Sequence, residues 1–185
     1  LRSPALPPLH PLPPCAAPPA VAPPAPPPAS RTLIEGPFGG SGGNPFSDSS
    51  LATSPITGVG WRSGDALDAI QIKYGSVWGN WHGNSRGGNY GSASLSTGEH
   101  IVSARVGWTS STKWLLGMEL TTTTGRVIVV GRARGAWGSN CREGLARPSV
   151  QTMPGSPPIL TYITGRCGAL VDQLCFVFTY TPYTP

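Results

Sequence analysis

The sequence predicts an all-β fold, and three observations carry that prediction. Short runs rich in β-branched and aromatic residues recur every ten to fifteen residues. Clusters of Gly, Pro, Asn or Ser separate most of them, and no stretch of ten or more residues holds a 3.6-residue apolar period between caps. Evenly spaced short strands with turns fit a sandwich, a barrel or a prism, and they leave helix content close to nil.

Residues 1–31 stand apart from this pattern. Thirteen of the 22 prolines fall within the first 30 residues. Proline fixes φ and pushes the preceding residue toward extended backbone, so this segment is expected to be a polyproline II arm. At about 3.1 Å per residue it reaches roughly 90 Å. Such a helix has no internal hydrogen bonds and cannot bury itself. Leu6, Leu9 and Leu12 recur every third residue, which lines up one apolar edge of a threefold helix, suited to a groove on another copy of the chain.

The domain is expected to occupy residues 32–185. LDAIQIKY (Leu67–Tyr74) places Leu67, Ala69 and either Ile70 or Ile72 on one face, with polar residues between them. EHIVSARVGW, KWLLGMELTT, RVIVVG, ILTYITG and DQLCFVFTY follow as further strands. Only 11% of residues are charged, and the net charge of +5 comes from eleven Arg and two Lys against eight carboxylates. Arg132, Arg134, Arg142 and Arg147 fall close together, either as a solvated face of loops or as a patch for acidic polysaccharide, because guanidinium forks pair with sulfates and carboxylates. No nucleic-acid module accompanies the charge, so nucleic acid is not an expected partner. No apolar run nears the 18 or so residues that span a membrane, and no membrane contact is expected. The chain begins at Leu1 and is read as a mature secreted product without its signal peptide. Cys15, Cys141, Cys167 and Cys175 fit an oxidising compartment, while their spacing matches no zinc site. Neither a metal nor any other cofactor is expected.

Four motifs then stand in a telling order: GPFGGSGGNPF (Gly36–Phe46), QIKYGSVWGNWHG, STGEHIVSARVGW and ITGRCGALVDQLCFVF. This order resembles the jacalin-related lectins, particularly the animal zymogen-granule type, over about residues 32–181. The resemblance implies a β-prism I fold, three four-stranded Greek-key sheets around a pseudo-threefold axis. It also implies a sugar site between the opening glycine loop, Gly42 and Gly43, and the closing loop Gly168-Ala169-Leu170-Val171-Asp172. In that site Asp172 accepts from two hydroxyls, Ala169 and Leu170 donate backbone N–H groups, and Gly43 donates across the cleft. The chemistry is sound, because vicinal hydroxyls both donate and accept, and a glycine lets the main chain come close. The alternative is that Asp172 caps its own turn and the glycines merely make bends. Because Glu35 runs on into Gly36, the resemblance implies the mannose- or glucose-preferring class rather than the class with a processed terminal glycine.

The loop GNWHGNSRGGNYG (Gly79–Gly91) is the expected third wall. There Trp81 and Tyr90 are placed to stack on a sugar face, and His82 or Arg86 to reach an acidic group. Trp78 and Trp81 serve equally well as ordinary core or sheet-edge aromatics. The cysteine pairing is not fixed by spacing. Cys141 with Cys167 is the candidate bridge, bracing the loop before Gly168, and Cys141 with Cys175 is its rival. The run APPAVAPPAPPPAS resembles hydroxyproline-rich glycoproteins of plants and green algae, which implies hydroxylation and O-linked sugar on the arm. The domain holds no Asn-x-Ser/Thr sequon.

Two stretches match G-x-S-x-G, at Gly39–Gly43 and Gly83–Gly87. A nucleophile elbow needs a following helix and His and Asp partners. No helix is expected after either, so no catalytic residue is assigned. The expected function is a secreted, non-enzymatic structural glycoprotein that binds glycans and whose arm docks on neighbouring protomers to build an extracellular filament or matrix. The alternative is a soluble mannose- or glucose-type lectin with the arm as a stalk.

Overall fold

The computed structural model describes residues 29–152 and 154–183. The proline-rich segment, with Leu6, Leu9, Leu12, Cys15 and the expected polyproline II conformation and docking, lies outside the described residues. Strand structure begins at β1 (Arg31–Gly39).

The described residues form three antiparallel sheets. The first runs β1, β13 (Val171–Tyr180), β12 (Ile159–Cys167), β2 (Asn44–Ser47). The second runs β5 (Val77–Trp78), β4 (Leu67–Tyr74), β3 (Ile56–Ser63), β7 (Asn89–Ser94), with the short β6 (His82–Gly83) also on β4. The third runs β10 (Val127–Gly131), β9 (Leu115–Thr122), β8 (Ile101–Thr109), β11 (Cys141–Ala146). Two 3-10 turns, Ser49–Leu51 and Arg134–Ala136, are the only helix among the described residues. The architecture is a β-prism I. Each sheet is centred on one hairpin: β12–β13, β3–β4 or β8–β9.

The core fills the space between the sheets. Leu174, Phe176, Phe178 and Ile163 come from the first, Val59, Leu67, Ile70 and Ile72 from the second, Ala104, Val106, Met118 and Leu120 from the third, and all are buried. Each large apolar side chain contributes about 1.5–3 kcal/mol on burial. Along β4 the expected alternation is broken, because Ala69, Ile70 and Ile72 are all buried. The strand also carries one extra residue, Asp68, opposite the step from Arg62 to Ser63 on β3.

The expected Cys141–Cys167 bridge is not formed, nor is its Cys141–Cys175 rival: all three described cysteines are free thiols. Cys141 opens β11 at the edge of the third sheet, where its Sγ donates to the Trp137 carbonyl. Cys167 ends β12 in the first sheet, paired with Asn44 and Val171. Different sheets hold the two sulfurs.

Candidate functional site

At one end of the first sheet, the turn joining β12 to β13 faces the glycine loop joining β1 to β2. The turn closes on its own main chain, with the Gly168 N–H donating to the Leu170 carbonyl at 2.9 Å. Closure therefore does not call on the Asp172 carboxylate. Instead that carboxylate is aimed at the facing loop. A methyl group at Gly42 would lie 2.8 Å from Asp172 Oδ1, and one at Gly43 would lie 2.6 Å from Oδ2. Gly43 has φ of 64°, the left-handed region that favours glycine. Gly42, Gly43, Gly168, Ala169, Leu170 and Asp172 are thus brought to one corner by two loops far apart in sequence.

The glycine loop is clamped. Arg166 donates from Nε to the Gly42 carbonyl at 3.0 Å and from Nη2 to the Gly43 carbonyl at 2.7 Å. Gln173 Nε2 donates to the Gly40 carbonyl at 2.7 Å, and the Gly40 N–H donates to the Asp172 carbonyl at 2.7 Å. With its carbonyls held by Arg166 and Gln173, the loop is fixed before any ligand arrives. Sequence reasoning missed Arg166 and Gln173, although both lie within the quoted motif ITGRCGALVDQLCFVF. Each lies on a strand within two residues of the Gly168–Asp172 turn, which is the signal that identifies them.

Cys167 lies under the same loop. Burial pushes its thiol above the usual range and the nearby Asp172 carboxylate adds to this, partly offset by a hydrogen bond from the Gly83 backbone. Burial likewise pushes the Cys175 thiol up. Both thiols are held neutral near pH 7.

The loop from Gly79 to Gly91 reaches this corner through the Gly83 backbone, and its expected side chains are not gathered there. His82 is buried: its Nε2 lies 2.7 Å from Asp48 Oδ1, and its ring stacks on Phe46 at 3.8 Å between centroids. Tyr74 Oη donates to Asp48 Oδ2 at 2.9 Å, so His82 belongs to a buried polar network that ties the end of β2 to β4 and β6. Burial, followed by the Asp48 carboxylate, holds the Tyr74 phenol protonated well above the usual tyrosine range. Trp81 covers Gly60 of β3 and meets Tyr90 edge-on at 6.4 Å. The Arg62 guanidinium lies 5.5 Å above the Tyr90 ring. Arg86 is exposed in the turn before β7, where its N–H donates to Asn84 Oδ1 at 3.1 Å. A cleft of about 720 Å³ beside this loop is lined by Phe46, Asp48, Trp78, Trp81 and His82. Its one carboxylate is already engaged by Tyr74 and His82.

The arginine patch is partly used up within the fold. Arg134 makes two bonds to Glu143 at 2.8 and 3.0 Å, and Arg132 Nη2 donates to the Ala136 carbonyl at 2.6 Å. Arg142 and Arg147 are exposed. Ser41 and Ser85, the serines of the two G-x-S-x-G stretches, lie in turns that lead into strands β2 and β7. Among the described residues no helix is long and apolar enough to cross a membrane.

A family model described as the jacalin-like lectin domain matches residues 35–177. Among solved structures, wild-type Malaysian banana lectin is 19% identical with a TM-score of 0.61, covering 83% of this chain and 100% of its own. Artocarpin in its mannotriose complex is 19% identical with a TM-score of 0.63, covering 80% and 97%. A prostate-specific WGA16 glycoprotein lectin is 25% identical with a TM-score of 0.60, covering 82% and 100%. No curated protein matches by sequence.

Proposed function

The chain belongs to the jacalin-like lectin family, and from that premise we propose that it binds mannose- or glucose-type sugars at the Asp172 corner. One observation carries the reading: both oxygens of Asp172 face the Gly42–Gly43 turn, which Arg166 and Gln173 hold in place. Asp172 accepts from two adjacent ring hydroxyls, and the N–H groups of Gly43, Ala169 and Leu170 donate to ring oxygens. Preference for the mannose type is supported by β1, in which the chain continues from Glu35 into Gly36 through a bulge against β13 and leaves no free amine beside the loop. It also agrees with the mannotriose complex of artocarpin, which has the same fold.

This is a binding reading and not a catalytic one, since both G-x-S-x-G serines precede strands. The test is a glycan array with the native protein and Asp172→Ala. Losing the acceptor leaves hydroxyls unpaired and costs about 1–3 kcal/mol, roughly ten- to hundredfold in affinity. Equal binding by both proteins overturns the assignment.

A second reading concerns residues 1–31 and rests on their composition and on the spacing of Leu6, Leu9 and Leu12. In it the protein is secreted, and the proline-rich arm docks on other protomers to form an extracellular filament or matrix. Head-to-tail contacts of that kind give rings or open filaments. Deleting residues 1–30 then yields a monomer by sedimentation while the full chain assembles. A full chain that sediments as a monomer leaves the lectin reading alone.

A further inference from the structure

Trp81 and Tyr90, which are not gathered at the sugar corner, join Trp78 in a surface on the outer face of the second sheet. Val59 is buried in the core, so its neighbours Gly58 and Gly60 point to the opposite face of β3. Two indole rings lie there. A methyl group at Gly60 would stand 3.4 Å from the Trp78 ring and 3.5 Å from the Trp81 ring, and one at Gly58 3.6 Å from Trp78. Tyr90 of β7 continues the file, meeting Trp81 edge-on at 6.4 Å. A cation stands at each end. Lys73 Nζ lies 5.9 Å from the Trp78 ring centroid, and the Arg62 guanidinium 5.5 Å from that of Tyr90.

Filling the space above two glycines does not account for this face. Trp78 is 39% exposed and Tyr90 57%, and Val77 beside them is exposed as well. Trp78 and Trp81 also wall the cleft of about 720 Å³ that opens toward Ser47, Ser50 and Asn80. Exposed rings gathered on one face mark an interaction surface. The charged groups among them, Arg62 and Lys73, are hydrogen-bond donors only. Strands β3, β5 and β7 hold no carboxylate, and β4 holds only Asp68, at the turn where it faces Gly87 and Gly88.

The chain itself supplies a segment of matching chemistry. Residues 3–14 read SPALPPLHPLPP, with six prolines among twelve residues and no acidic side chain. Each proline lacks an N–H and keeps its carbonyl, so the segment is rich in acceptors. In the expected polyproline II helix those carbonyls have no internal partner, and such helices are recognised by aromatic-lined grooves. Leu6, Leu9 and Leu12 then fall on one edge, about 9 Å apart, suited to a file of rings.

We infer that the face of Trp78, Trp81 and Tyr90 receives residues 3–14 of another copy of this chain. The leucine edge and the prolines pack on the three rings, while Lys73 and Arg62 donate to carbonyls of the segment. The inference rests on the second reading above, in which the arm docks on other protomers, and it names the receiving surface. Another copy is favoured over the same one by where the arm leaves. Ser30 lines a cleft with Thr123, Thr179 and Tyr180, beside the first and third sheets, whereas the rings lie on the second. From Pro14 to Ser30 a stiff, extended arm covers roughly 50 Å, which carries the leucine edge clear of its own domain. Each copy then gives an arm at one surface and takes one at another, a heterologous contact.

The test is sedimentation velocity on the full chain, with and without a synthetic peptide of residues 3–14. The native protein is expected to assemble, and the peptide to disperse the assemblies by competing for the face. Trp78→Ala and Tyr90→Ala should each raise the concentration needed for assembly about tenfold or more. Both side chains are exposed, so the variants are expected to fold, and an unchanged unfolding midpoint checks this. Assembly that the peptide disperses and both variants retain overturns the aromatic face and leaves arm docking standing. A native protein that stays monomeric at every concentration, or assemblies that the peptide leaves intact, overturn both. Dispersal by heparin and not by the peptide would give the face to an anionic polysaccharide and likewise overturn the inference.

Discussion

The corners of the first and second sheets share a main-chain plan, and they differ in how firmly the glycine loop is held. At the first corner Arg166 makes two bonds to the loop, at 3.0 and 2.7 Å, and Gln173 makes a third at 2.7 Å. At the second, Arg62 makes one bond at 3.4 Å and keeps its Nε without a partner. Ala69 stands on β4 where Gln173 stands on β13, so no amide braces the second loop. A carboxylate and two glycines place the polar groups, and the flanking strand residues decide how rigidly. A fixed loop loses less conformational entropy on binding, which favours the first corner as the place where sugar is held.

The largest effect should come from the buried network of Asp48, Tyr74 and His82. Asp48→Ala leaves the Tyr74 hydroxyl and the His82 ring unpaired in the interior, and should cost about 3–5 kcal/mol in chemical denaturation. Because Asp48 follows β2, the strand that the glycine loop leads into, and its partners lie on β4 and β6, sugar binding at the Asp172 corner should weaken along with stability, whereas Asp172→Ala weakens binding alone.

The same network sets an alkaline limit. Folding holds Tyr74 protonated at a pH where the unfolded chain releases that proton. Its contribution is therefore complete below about pH 10 and declines as pH rises beyond it, by about 1.4 kcal/mol per pH unit for one proton. Equilibrium unfolding between pH 9 and 11 should show the decline, and Tyr74→Phe should flatten it.

Smaller effects separate the corners directly. Arg166→Ala should weaken mannoside binding at the first corner about tenfold, close to 1.4 kcal/mol, with little change in the unfolding midpoint. Arg62→Ala, which loses one long bond to the Gly88 carbonyl, should leave mannoside binding at the first corner unchanged. Equal losses of mannoside binding from the two substitutions would contradict the assignment to the first corner.

The sequence made the all-β class legible where strands alternate or are continuously apolar. The run from Leu67 to Tyr74 coincides with β4, and DQLCFVFTY falls within β13. It hid β3, β7 and β11, whose glycines read as loop. In the fold those glycines lie under aromatic rings: Gly60 beneath Trp78 and Trp81, Gly91 against Trp61, Gly144 against Phe38. An aromatic ring from a neighbouring segment replaces the missing side chain, and no local pattern announces that. The Asp172 corner was legible because its two loops carry compact motifs. The fate of His82 was not, since its partners Asp48 and Phe46 come from more than thirty residues away.

The most direct measurement is a crystal structure of the protein with methyl α-mannopyranoside. Sugar is expected at the first corner, with two ring hydroxyls about 2.7 Å from Asp172 Oδ1 and Oδ2 and a ring oxygen within reach of the Leu170 N–H. Sugar seated instead over Trp78 and Trp81, with the Asp172 corner holding only water at saturating mannoside, would contradict it.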